Sequence, residues 1–238
     1  MSDNLSEPQI ILKDLILKRD GFTLLANGVF EKGVHLITGK IGCGKTTLSM
    51  ALAGYLRQES GLIECKNIEK TLLSMQFPEY HLTGLTLEDE IKSWGLSSDE
   101  ILDKSELCGY GKTDPMKMSR GELKRLHLVC ILSKRKDLLI LDEPFSTLSP
   151  MWKERFCNNL AIQEGITIIF THEQTYFPKT DYIWDIDSGE LNYIGHVPEC
   201  LDSWKSAPEY IKTALKKGVL PKNIRFEDTL EAICRMQD

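Results

Sequence analysis

Eight residues constrain this chain more than any others: Gly39, Lys40, Ile41, Gly42, Cys43, Gly44, Lys45 and Thr46. They fit the pattern G-x-x-x-x-G-K-[ST]. The apolar run VHLIT (Val34–Thr38) precedes them, and KTTLSMALAGYLRQ follows. In that second stretch Leu48, Ala51, Leu52, Tyr55 and Leu56 recur at helical spacing, which predicts an amphipathic helix packed on a sheet. The glycines let backbone N–H groups turn inward around an anion. The helix that follows aims the positive end of its dipole at the same point. Lys45 is placed for the β- and γ-phosphates of a nucleotide, and Thr46 for Mg²⁺. Cys43 lies inside the loop, where the helix N-terminus is expected to lower its thiol pKa. Alkylation there is expected to block nucleotide binding.

Two further apolar runs, LLIL (Leu138–Leu141) and TIIF (Thr167–Phe170), do not alternate with polar residues. Strands of a parallel sheet covered on both faces look like this, as do short buried helices. Each of the three runs ends in polar residues: Thr38-Gly39, Asp142-Glu143 and Thr171-His172. Ligands of open α/β sheets gather at the carboxyl ends of strands, so the tips predict one shared site. Asp142 is then a Mg²⁺ holder. Glu143, one residue on, can orient and deprotonate a water. His172 can contact the γ-phosphate and that water. Gln76 opens QFPEYH after the possible strand TLLSM, and its amide can bridge Mg²⁺ or water into a loop. A solvated acidic turn and a structural histidine are the bland alternatives.

Residues of about 79–135 read as mostly helical, and the last stretch, 198–238, as a helical appendage. There Pro208 opens a helix that Gly218 can close, and a second helix runs from about Phe226 to Met236. In KMSRGELKRL, Ser119 can cap the amide of Glu122 while Glu122 reaches back to Ser119. A capped helix start with a free glycine amide is also a phosphate receptor.

Bulk properties narrow the function classes. The net charge of −6 gives a nucleic-acid role little support. No apolar run reaches the ~18 residues of a membrane span. The start, MSDNLSEPQ, lacks the basic-then-apolar pattern of a secretory signal. Seven cysteines without a C-x-x-C pair suggest reduced thiols in the cytosol.

The order GKIGCGKT, QFPE, MSRGE, LLILDEP, STLS, FTHE resembles the nucleotide-binding ATPases of ABC transporters over about residues 10–195. The resemblance implies a P-loop ATPase core of the α/β class with a mostly parallel sheet, a helical subdomain at about 79–135 and a short C-terminal extension. It places an ATPase domain at 1–197 and the extension at 198–238. It implies ATP and Mg²⁺ as cofactors, and a homo- or heterodimer that closes head-to-tail on two ATP molecules. Residue by residue, Gly39, Gly42, Gly44, Lys45, Thr46 and Thr47 match the phosphate loop, Gln76 the glutamine loop, and Ser119, Gly121 and Glu122 the signature segment. Asp142 and Glu143 match the acidic pair, His172 the switch histidine, and Phe22 the aromatic that stacks on adenine.

QFPEYHLTGLTLEDEI and PEYIKTALKKGVLPKNIRFEDTLEAI further resemble the energy-coupling-factor subgroup, which powers uptake of vitamins or of metals such as cobalt and nickel. That likeness implies an integral membrane scaffold as partner and a cytoplasmic place on the inner face of the membrane; given the acidic net charge, no nucleic acid is expected as a partner. The chain departs from the family at Arg120, where the signature has its first glycine, at Glu122 in place of glutamine, and at Ser149 in place of aspartate. These positions act across the dimer, so the departures predict one ordinary and one atypical half-site, as a heterodimer with a paralogous ATPase would have. A non-transport ATPase of the same type, in repair, translation or cofactor assembly, and a phosphate-loop kinase remain the competing functions.

Overall fold

The computed structural model describes residues 7–160 and 164–235; the expected helix end at Met236 lies outside them. Apolar residues alternate along β1 (Gln9–Arg19) and β2 (Phe22–Phe30), which pair as an antiparallel hairpin. In β1 the buried set is Ile10, Leu12, Leu15 and Leu17. The odd step from 12 to 15 would turn Leu15 to the other face of a regular strand. A bulge at this step, with Asp14 at φ 45°, keeps all four on one side.

β3 (Gly33–Gly39) leads into the glycine-rich loop, and α1 (Lys45–Leu52) follows it. This helix is shorter than its periodicity predicts. Gly54 takes φ 79°, its N–H donates to the Ala51 carbonyl at 3.0 Å, and the chain leaves the helix. Tyr55 consequently stands 68% exposed, while Leu56 still packs beside the core. β4 (Ser60–Lys66) extends the hairpin edge, and β5 (Thr71–Ser74) is the strand expected at TLLSM.

Next come α2 (Leu87–Ser93), α3 (Ser98–Lys104) and α4 (Arg120–Leu132), with single 3₁₀ turns at Pro78–His81 and Pro115–Lys117. Leu87, Ile91, Ile101, Leu102, Leu123, Leu126 and Cys130 bury one another in a cluster of their own. This is the segment that reads as helical in the sequence. β6 (Leu138–Asp142), α5 (Pro150–Leu160), β7 (Ile166–Phe170), β8 (Tyr182–Asp187) and β9 (Glu190–His196) complete the sheet, and α6 (Glu209–Lys216) and α7 (Phe226–Cys234) end the described chain.

All these strands form one sheet in the order β4-β1-β2-β9-β8-β3-β7-β6-β5. From β8 to β5 every neighbouring pair is parallel, and β2 with β9 is parallel too. The antiparallel pairs are β4 with β1, β1 with β2 and β9 with β8. β6 and β7 are buried at every residue, as their unbroken apolar runs require.

The C-terminal segment is sewn into this core. Trp204, Ile211 and Ile224 share a cluster with Leu36, Leu139, Leu141 and Ile169. Trp204 also donates its indole N–H to the Thr38 hydroxyl at 3.3 Å, at the root of the glycine-rich loop. The predicted helix limits at Pro208 and Gly218 coincide with α6, and Gly218 takes φ 75° where the chain reverses. Among the described residues no helix is long and apolar enough to cross a membrane.

Candidate nucleotide-binding site

β3, β7 and β6 lie side by side and parallel, so their three polar tips meet at one edge. Phe170 of β7 is in register with Ile37 on one side and Asp142 on the other. The Thr171 N–H donates to the Ile37 carbonyl at 3.1 Å, and the Glu143 N–H to the Phe170 carbonyl at 2.8 Å. These bonds carry the sheet one residue past each strand and fix where the functional side chains leave it.

At this edge a cleft of about 410 Å³ is lined by Phe22, Ile41, Gly42, Gly44, Lys45, Thr46, Thr47, Gln76, Glu143 and His172. Phe22 sits against the loop: a Cβ on Gly44 would come within 2.6 Å of its ring, and Gly44 takes φ 106°. Only glycine fits there, for both reasons. Gly39 and Lys40 contribute backbone. Lys45 Nζ donates to the Gly39 carbonyl at 2.8 Å and to the Lys40 carbonyl at 3.1 Å. The lysine is 7% exposed, so its charge is held in place above the loop.

Glu143 is the most connected group. Its Oε1 lies 2.8 Å from His172 Nδ1 and 3.7 Å from Lys45 Nζ. Its Oε2 accepts from the Thr171 hydroxyl at 3.2 Å and from the His172 N–H at 3.4 Å. Glu143 is 8% exposed, and its backbone is left-handed at φ 47°, a conformation held by the turn Glu143–Ser146. The carboxylate is thus held by four contacts from three residues, His172, Thr171 and Lys45, an arrangement suited to a general base.

Asp142 is 1% exposed, and its Oδ1 is buried without a partner. Burial pushes its carboxyl up, and a hydrogen bond with Thr46 partly offsets that. A buried carboxylate oxygen without a donor, beside a hydroxyl, is a donor set that suits a hard divalent cation. The residues therefore fit Mg²⁺.

Cys43 departs from expectation. Burial pushes its thiol up, ahead of the opposing pull of Lys45. The sulfur packs under the loop, within 2.6 Å of where a Cβ on Gly39 would stand. Desolvation outweighs the helix end, because the thiol faces protein rather than the anion cleft.

Ser119, Gly121 and Glu122 do not line the cleft. They form the expected capping box at the start of α4: Glu122 N–H to Ser119 Oγ at 3.3 Å, Ser119 N–H to Glu122 Oε2 at 2.8 Å. Gly121 meets the turn after β6, where a Cβ would stand 2.9 Å from the Thr147 carbonyl oxygen. Packing alone thus explains why this glycine stands while its neighbour is Arg120.

Four residues received no role of their own from sequence reasoning. Arg19 and Asp20 line the cleft from the β1–β2 turn, and the only signal was their nearness to Phe22. Thr171 holds Glu143, and the T-H-E string could have shown it. Lys124 is 0% exposed on α4, a position the helical pattern does not mark.

A family model described as ABC transporter matches residues 26–146, from β2 to the turn after β6. The energy-coupling factor transporter ATP-binding protein EcfA1 of Thermotoga maritima is 30% identical over 218 residues, covering 82% of this chain and 84% of that protein. A putative ABC transporter ATP-binding protein of Methanosarcina acetivorans is 29% identical, covering 87% and 84%. A solved structure of an ATP-binding subunit of an ABC transporter superposes with TM-score 0.70 at 18% identity, over 87% of this chain and 99% of that one, which speaks for the fold alone. The chain therefore belongs to the ABC transporter family, as an ATP-binding subunit and an ATPase.

Proposed function

We propose that this subunit energises an importer of the energy-coupling-factor type by closing with a second ATPase subunit over two ATP molecules. The observation that carries the hydrolytic half is the meeting of Lys45, Glu143 and His172 within one cleft. The narrower subgroup is supported by the names of the relatives, EcfA1 among them.

In this scheme Phe22 stacks on the adenine and the amides of residues 39–47 receive the phosphates. Lys45 gives up its hold on the Gly39 and Lys40 carbonyls to take β- and γ-phosphate oxygens. Thr46 and Asp142 would hold Mg²⁺, with Gln76 beside them; the ion, when bound, neutralises charge on the transferred phosphoryl group. Glu143 takes the proton of the attacking water, and His172, in contact with its Oε1, keeps that carboxylate oriented and reaches the γ-phosphate. Ser119, Gly121 and Glu122 face the nucleotide of the second subunit. Arg120, Glu122 and Ser149 make that far half-site atypical, which favours a heterodimer.

The segment after Gln76 presents Phe77, Tyr80 and Leu85 at 36%, 70% and 85% exposure. Large apolar side chains left in water suit a protein partner, here a membrane scaffold on whose inner face the subunit sits. The helical part at about 79–135 and the extension from 198 are the corresponding subdivisions. Mixed dimers carrying Glu143→Gln on one side test the asymmetry: unequal loss of phosphate release is expected, and equal loss from either side counts against it. Purification from membranes should bring down an integral membrane subunit with this chain; recovery without one counts against transport.

A further inference from the structure

α4 does more than carry the capping box at its start. It touches the glutamine segment, residues 75–81, at three positions over two turns. Arg120 Nε lies 3.1 Å from Glu79 Oε1, and its guanidinium carbon stands 5.5 Å from the centre of the Phe77 ring. Lys124, one turn on, is 0% exposed; its Nζ donates to the Met75 carbonyl at 2.9 Å and to the Gln76 carbonyl at 3.3 Å. His127, a further turn on, stacks on His81 at 4.3 Å, and His81 Nε2 accepts from the Met75 N–H at 2.9 Å.

We propose that α4 positions Gln76 through Lys124 and Arg120, so that the residue replacing the signature's first glycine acts within its own chain, as a grip on the glutamine segment. Residues i and i+4 share one face of a helix, so the two cations reach the same strip of chain. Lys124 binds the peptide carbonyls on both sides of the Gln76 Cα, and a buried ammonium held by two carbonyls is a stiff tether. The carbonyls lie past the end of β5, so the tether comes from the helix and not from the strand. Arg120 fixes the middle of the segment by its charge on Glu79 and by its place over Phe77. Lys124 and Arg120 are positioning residues: neither lines the nucleotide cleft. A shift of α4 must then move Gln76, and a load on Phe77 or Glu79 must reach the start of α4. The consequence for hydrolysis rests on the proposed role of Gln76, whereas the mechanical link does not.

The test is hydrogen exchange of the 75–81 amides in the full-length chain without nucleotide, followed by steady-state ATP hydrolysis. Arg120→Gly and Glu79→Gln should each speed exchange about threefold, the scale of a partly exposed ion pair, and the double variant no further. The swapped pair Arg120→Glu with Glu79→Arg should return exchange to within about twofold of the parent. Lys124→Met should speed it about tenfold, as loss of a charged hydrogen bond implies, and Lys124→Arg should recover most of that. In hydrolysis Lys124→Met should lower kcat and leave KM within about twofold. Unchanged exchange in Arg120→Gly, additive effects at 120 and 79, or a loss confined to KM overturns the proposal. Should Lys124→Met fail to fold, the 120/79 cycle decides alone. A Gln76→Ala variant with normal kcat, beside the expected exchange results, would remove the role of Gln76 and leave the link standing.

Discussion

The cleft and the start of α4, the two places where the proposed function puts phosphate, are built in opposite ways. At the cleft the charged groups are buried and bound to one another: Asp142 is 1% exposed, Lys45 7%, Glu143 8%. At the start of α4 Ser119 is exposed and the Arg120 side chain 64% exposed, and their contacts are a capping box and an ion pair to Glu79. Buried charges keep fixed positions because water cannot substitute for their partners. Exposed ones wait for a partner to desolvate them. The proposed function accounts for the contrast: the first region is a preorganised half-site with intact motifs, and the second, where the motifs depart, is completed by another molecule.

Glu143→Gln should break the first half most completely. It removes the proton acceptor and keeps the shape, so phosphate release should fall about 10²–10⁴-fold while ATP still binds by equilibrium dialysis. Lys45→Ala should act on binding instead, weakening ATP about 10–100-fold in the same measurement, the scale of a lost charged hydrogen bond. Comparable losses from Ser119→Ala on ATP binding by the isolated chain would erase the distinction between the halves. The expected result is a change under about twofold in that binding, with about 1 kcal/mol lost from thermal unfolding through the cap. Gly121→Ala should cost about 1–3 kcal/mol in the same unfolding measurement, because its methyl meets the Thr147 carbonyl. The mildest effect is kinetic. At neutral pH Cys43 should alkylate more slowly than exposed Cys108, read by mass spectrometry of the peptides, since burial raises its thiol pKa. Faster reaction at Cys43 would mean that the loop opens in solution.

Much of this was legible from local order. The strand runs at 34–38, 138–141 and 167–170 were apolar without interruption, and only a position covered on both faces asks for that. The tips Asp142-Glu143 and Thr171-His172 were readable because they follow such runs. α6 was readable because Pro208 and Gly218 punctuate it. The length of α1 was not: Tyr55 and Leu56 keep the helical period, yet Gly54 turns the chain first. The thiol of Cys43 was misjudged because its neighbours in space, Gly39 and the core behind it, are not its neighbours along the helix dipole.

What the sequence determined by itself was the presence of each part: a glycine loop, an acidic pair, a strand-end histidine, a capped helix. These depend on residues a few positions apart, whose geometry the backbone sets directly. Only the tertiary structure decided the assignments between parts. It placed β7 between β3 and β6, which brings His172 to Glu143. It set Lys124 under Gln76 and turned Arg120 to Glu79, across separations no local pattern encodes. Such contacts follow from how helices pack against a sheet, where the whole core selects one arrangement and each side chain takes the partner it is given.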